Sequence, residues 1–96
     1  MKAYRLSSLA RLDLIEIWSY SRGQWGKVRA EANLRSIQSM VEMIAERPDV
    51  GWTDETIGEG YRRRAIGSHV IFYRVDEGVQ IVRVLHQSMD AKPRLS

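Results

Sequence analysis

Apolar residues recur along this chain with two different periods, and the change from one to the other divides it. Ala3-Tyr4-Arg5-Leu6 alternates over four residues and predicts a short strand. Ser7 and Ser8 follow as candidate N-caps, each able to accept from an orphan backbone N–H. From Leu9 to about Ser21 the spacing turns helical, with Ala10, Leu14, Ile17 and Ser21 on one face and Trp18 widening it. Leu9, Leu12 and Ile15 form a second apolar strip on the same helix, for burial on a second side or for a partner. Gly23 and Gly26 bracket Gln24-Trp25 and predict its end, with Trp25 packed over the turn. A second helix is predicted over 27–46, with Ala30, Leu34, Ile37, Val41 and Ile44 as its core stripe, closed by Arg47-Pro48. The short connection makes the two helices an antiparallel hairpin.

Residues 49–60 are polar and broken by glycines, a loop with Trp52 and Ile57 as anchors. Beyond Gly60 the pattern is that of sheet. Strands are predicted over 61–66, 69–75 and 79–86, with Gly67-Ser68 and Asp76-Glu77-Gly78 as turns and Gly78 at the αL position. Residues 87–96 read as a polar, flexible tail. The fold class is therefore α+β: an N-terminal strand, then a helical hairpin packed on one face of a twisted antiparallel sheet, in the order β-α-α-β-β-β, all within one domain over 1–96.

The last hairpin sharpens this picture. A three-residue loop pairs Val75 with Val79, Tyr73 with Ile81, Ile71 with Arg83 and His69 with Leu85, leaving Phe72 beside Val82 and Val70 beside Val84 on the opposite face. Both faces are then apolar at their centres, although helices on one side call for a polar outer face. A partner, a register slipped by one residue or a folded-back tail would each resolve the excess. Arg83 falls amid Ile71, Ile81 and Leu85, where an unpaired charge is costly, and Asp13 is the acid predicted to meet it.

Composition narrows the chemistry. With no cysteine and two histidines in 96 residues, disulfide frameworks, thiolate metal sites and histidine-rich zinc sites are excluded, and no metal or cofactor is expected. No run approaches the ~20 apolar residues of a membrane span, so no membrane association is expected and the placement is cytoplasmic. Net charge is +3, but residues 1–60 balance at −1 and residues 61–96 at +4. Twelve of the fifteen basic residues are Arg, which favours bidentate recognition of carboxylate or phosphate. Arg62-Arg63-Arg64 is the densest cluster, either a solvated edge strand blunted by charge or a contact surface. His69 and His86 are acid–base candidates by residue type, or hydrogen-bonded residues closing the sheet end.

Tyr4-Arg5-Leu6-Ser7, then Ala10-x-x-Asp13-Leu14-x-x-Ile17-Trp18-x-Tyr20 and Trp25-Gly26, resemble the opening of ParE toxins. So do Gly60-Tyr61-Arg62, Ser68-His69-x-x-Phe72-Tyr73-Arg74 and Val82-Arg83-Val84-Leu85-His86. The resemblance spans nearly the whole chain and rests on the order and spacing of the motifs. It implies the toxin component of a type II toxin–antitoxin system of the RelE/ParE superfamily. Such a toxin inhibits DNA gyrase by binding, without catalysis, and is neutralised by a ParD-type antitoxin. The antitoxin forms a hetero-oligomer with it and links it to operator DNA only indirectly. Val70, Phe72, Val82, Val84, Arg62, Arg64 and Arg74 then become the expected antitoxin-binding residues. Arg63 and His86 are expected contacts for gyrase or nucleic acid, and Asp13 and Arg83 a structural pair. The alternative is a ribosome-dependent mRNA endoribonuclease of the RelE branch. Those nucleases place an Arg near the position of Val70 and a Tyr or His close to the C-terminus, whereas Val70 and Phe72 are apolar and no Tyr follows Tyr73.

Overall fold

A computed structural model describes residues 3–95 of the chain. The elements follow the order β1 (Tyr4–Leu6), α1 (Ser8–Trp25), α2 (Lys27–Glu46), a 3-10 turn (Pro48–Val50), β2 (Trp52–Thr53), β3 (Tyr61–Ile66), β4 (His69–Val75), β5 (Val79–His86) and α3 (Ala91–Leu95). The strands form one sheet in the order β1-β5-β4-β3-β2. This is the α+β arrangement expected, but β1 lies parallel to β5, so the sheet is mixed, and β2 and α3 are added to the expected order.

Ser7 ties the start of α1 to the sheet. Its Oγ accepts from the Ala10 amide at 2.9 Å, as an N-cap should, and donates to the Val82 carbonyl at 2.6 Å. α1 runs four residues past its expected end at Ser21 and carries Gly23 inside it. Gly26, at φ 88°, makes the break and serves as both the end of α1 and the start of α2. That backbone conformation suits glycine alone among common residues. Ala10, Ile17, Ile37, Val41 and Ile44 from the helices close over Ile71, Tyr73, Val79, Ile81 and Val84 from the sheet.

The hairpin register departs from the sequence expectation at a β-bulge. Val75↔Val79 and Tyr73↔Ile81 pair as expected, but the next pairs are Phe72↔Arg83, Ile71↔Val84, Val70↔Leu85 and His69↔His86. Val82 drops out of the ladder, and every later residue of β5 changes face. Val84 therefore lies under the helices, not on the opposite face. Leu85 takes its place beside Val70 and Phe72. The bulge lies where α1 takes over the edge of β5, through Ser7 on the Val82 carbonyl and Asp13 on the Val84 amide.

The remaining differences concern loops and the tail. The 49–60 segment holds the Pro48–Val50 turn and adds β2 to the sheet edge, antiparallel to β3. Trp52 is 74% exposed and anchors nothing, whereas Ile57 packs against the second cluster as expected. Trp25 is 53% exposed, edge-on to Tyr20 with the Arg29 guanidinium over its ring. In the last turn Gly78 has φ 112°, but Glu77 at φ 38° takes the αL position. The expected flexible tail instead folds back: Gln87 N donates to Ser68 O, and α3 lies on Val70, Phe72 and Leu85. Ser96, its last residue, is outside the described residues.

Candidate interaction surfaces

Asp13 is buried on α1, and its carboxylate accepts three hydrogen bonds. Two come from Arg83, Nε and Nη2 each at 2.8 Å, and the third from Val84 N at 2.9 Å. The fork geometry of guanidinium on carboxylate is the strong form of this pair. Arg83 also donates from Nη1 to the Arg94 carbonyl at 3.1 Å, so one side chain links α1, β5 and α3. Its pKa is raised, chiefly by the hydrogen bond to Asp13, against an opposing push from burial.

The arginine triplet is engaged within the chain. Arg62 Nε donates to Pro48 O and Arg64 Nη1 to Val50 O, holding the turn after α2 on the sheet edge. The Tyr73 hydroxyl, fully buried, donates to the same Pro48 carbonyl at 2.6 Å and accepts from Gly51 N at 2.9 Å. Sequence reasoning paired Tyr73 with Ile81 but missed this role; the aromatic hydroxyl within a strand and a glycine after Pro48 were the available signal. Arg63 pairs with Asp54 at 3.0 Å and covers the Phe72 ring at 5.1 Å. Asp54, held by Thr56 first and then by Arg63, keeps its pKa below the usual carboxylate value. Arg74 stays exposed, its guanidinium over the Tyr61 ring.

The apolar residues expected to bind a partner are thus divided. Val70, Phe72 and Leu85 form a cluster on the face away from the helical hairpin, at 6%, 2% and 2% exposure. Ile57, Ala91 and Leu95 cover them. Val82 is half-buried, and Val84 is removed from the surface altogether. The uncovered apolar surface lies elsewhere: Leu9, Leu12 and Ile15, at 51%, 53% and 59% exposure, line the outer side of α1. That is the second strip visible in the sequence.

A groove of about 1140 Å³ separates the helical hairpin from the far end of the β4–β5 ladder, lined among others by Tyr20, Trp25, Arg29, His69, His86 and Arg94. The two histidines stand ring edge to face at 5.5 Å. His86 Nδ1 accepts from the Ser88 amide and lies 2.7 Å from its hydroxyl. Burial first, and the neighbouring His86 second, lower the pKa of His69. Among the described residues no group of three or more His, Asp or Glu is placed to hold a metal, and no helix is long and apolar enough to cross a membrane.

Comparison with known proteins gives this geometry a family. Residues 4–91 match the family described as the ParE toxin of the type II toxin–antitoxin system parDE. Toxin ParE1 of Caulobacter vibrioides is 54% identical over 95 residues, 99% of each chain. Toxin ParE1 of Mycobacterium tuberculosis is 43% identical over 94 residues, 96% of each chain. In fold, the chain resembles one from a structure described as the chromosomal ParDE TA system from P. aeruginosa. Their TM-score is 0.78 at 19% identity, over 90% of this chain and 96% of that one. With its motifs, its strand and helix order and its full-length relatives in agreement, the chain belongs to the ParE toxin family of type II toxin–antitoxin systems.

Proposed function

We propose that this chain is a cytoplasmic toxin that inhibits DNA gyrase by binding it, without catalysis, and that a ParD-type antitoxin neutralises it. The observation that carries the non-catalytic reading is where the cations go. Arg62 and Arg64 hold backbone carbonyls, Arg63 holds Asp54 and Arg83 holds Asp13. The sheet face between them is built of Val70, Phe72 and Leu85, covered by Ile57, Ala91 and Leu95. Cleavage of RNA needs cations converging on a developing phosphate charge, and an apolar face cannot stabilise one. Of the two acid–base candidates, His86 is turned to Ser88 and stands ring edge to face with His69. On this reading Val70, Phe72 and Arg74 serve the antitoxin, whereas Arg62, Arg63 and Arg64 shape the edge that presents them.

The test is purified gyrase with supercoiled and relaxed plasmid. The toxin should block supercoiling and accumulate cleaved plasmid, and an equimolar antitoxin should reverse both effects. Translating ribosomes form the second arm: codon-dependent mRNA cleavage by the chain would replace this reading with the endoribonuclease one.

A further inference from the structure

The sheet arginines Arg62, Arg63, Arg64 and Arg83 are held by acceptors within the chain. The cations at the tip of the helical hairpin are not. Residues 17–30, from the second half of α1 into the first turn of α2, include Arg22, Lys27 and Arg29 and no acid. All three are exposed, and neither ion pair among the described residues includes them. Tyr20, Trp25 and Val28 stand among them at 64%, 53% and 82% exposure. Folding does not call for this arrangement. Lys27 and Arg29 occupy the start of α2, where the helix dipole disfavours positive charge, and Trp25 leaves half of its surface in water. The same tip forms one wall of the groove of about 1140 Å³, with His69, His86 and Arg94 among the residues of the other. Small-molecule pockets run to ~300–1,000 Å³, so an opening of this size suits a stretch of polymer. Its acids are Asp13, which Arg83 takes, and Glu16, which is left against Arg29 and Arg94.

We propose that the hairpin tip and the groove behind it bind single-stranded DNA, with Tyr20 and Trp25 stacking unpaired bases and Arg22, Lys27 and Arg29 receiving phosphates. The local geometry serves both halves of a nucleotide. The Arg29 guanidinium lies over the Trp25 ring at 5.7 Å, and Tyr20 meets that ring edge-on at 6.1 Å. A flat ring beside an unpaired cation offers a base its stacking surface and the adjoining phosphate its counter-charge. The proposal rests on the gyrase reading given above and adds the nucleic acid to it: the toxin grips the strand as well as the enzyme that cuts it. A cut strand held in this way is slow to be resealed, so cleaved plasmid accumulates with no chemistry by the toxin. Arg63 was the expected nucleic-acid contact, but Asp54 holds it, whereas His86 lines the groove.

The experiment titrates the full chain, free of antitoxin, onto a fluorescent thymidine oligonucleotide of about twelve residues and follows anisotropy. Binding should weaken with salt at a log–log slope of about −2, as three phosphate contacts on a single strand give. Trp25→Ala should weaken it about tenfold at an unchanged slope, and Trp25→Phe, which keeps a stacking ring, should restore most of that loss. The triple variant Arg22→Gln/Lys27→Gln/Arg29→Gln should bring the slope near zero. Circular dichroism of each variant separates lost binding from lost folding. Parental affinity in both Trp25→Ala and the triple variant, or no binding by the parent chain at micromolar concentration, overturns the proposal. So does tighter capture by anionic phospholipid vesicles or by a uridine oligonucleotide, which assigns the tip to a membrane surface or to RNA. Gyrase is assayed separately. Supercoiling blocked equally by the parent and both variants removes DNA from the mechanism and leaves the gyrase reading intact. A chain that binds the oligonucleotide but never blocks supercoiling keeps the DNA site and sinks the gyrase reading.

Discussion

Replacing Asp13 by Ala tests the joint on which the architecture turns. The substitution removes one carboxylate and strands three donors: Arg83 Nε, Arg83 Nη2 and Val84 N. Breaking a buried ion pair from one side costs about 3–5 kcal/mol, and an orphaned buried N–H about 1–3 kcal/mol more. The Arg83 side chain keeps 15% of its surface in water, and hydration recovers part of that loss. A total of about 3 kcal/mol is the reasonable expectation. Set against the ~5–15 kcal/mol that stabilises a typical domain, that is a large share. At ~4–8 °C per kcal/mol, Tm should fall by roughly 12–24 °C. Urea unfolding followed by circular dichroism measures it directly. Arg83→Met should cost less, about 2 kcal/mol, since Asp13 keeps the Val84 amide. The double variant Asp13→Ala/Arg83→Met should be more stable than the sum of the two single losses predicts, because no charge is left unpaired. Asp13→Ala within ~0.5 kcal/mol of the parent, or Arg83→Met with no loss at all, would refute the reasoning.

Tyr73→Phe removes the hydroxyl that joins Pro48 O to Gly51 N, and should cost about 2 kcal/mol by the same urea titration while leaving β4 in place. Gly51→Ala should be worse, since a Cβ there would fall inside the Tyr73 phenol. His69 has its pKa lowered from 6.5, by burial first, so the unfolded chain takes up a proton that the folded chain resists. Stability should therefore be full above pH 6.5 and decline as the pH falls through the lowered value, and His69→Gln should flatten that slope in Tm measured against pH. Glu77 holds φ 38° in the β4–β5 turn, and Glu77→Asn should raise stability by about 0.5 kcal/mol, read from the urea midpoint.

The helices were legible because each carries one strong period. Ala10 and Ile17, and Ile37, Val41 and Ile44, are core in the pattern and core in the fold. The β4–β5 register was legible only as far as Tyr73↔Ile81. Beyond it the pattern is apolar at every second position under either register, so alternation cannot detect one bulged residue. What moves Val84 to the helix side is tertiary, an amide taken by a carboxylate 71 positions away. The Asp13–Arg83 contact was anticipated from a register that does not hold: Arg83 stands opposite Phe72, not amid Ile71, Ile81 and Leu85, but a cation short of water in the middle of a strand demands a counter-charge under either register. The arginine triplet misled for the converse reason. Its partners are the backbone carbonyls of Pro48 and Val50, and sequence carries no mark of where carbonyls point. A folded-back tail was one of three ways left open to cover the second face, but its contact residues Ala91 and Leu95 could not be picked out of a short polar stretch with no period of its own.

The parallel seating of β1 against β5 has a consequence for when this molecule becomes itself. Tyr4 is matched to Val79 and Leu6 to Ile81, so the opening strand finds its neighbour only in the last quarter of the chain. A ribosome must release nearly the whole polypeptide before that seam can close, and loops of such span are slow to join. Nascent pieces that stop short of β5 lack the partner of β1 and the Val84 amide that Asp13 receives. Polypeptides that end before β5 should therefore leave the seam of β1 open and fall readily to proteases.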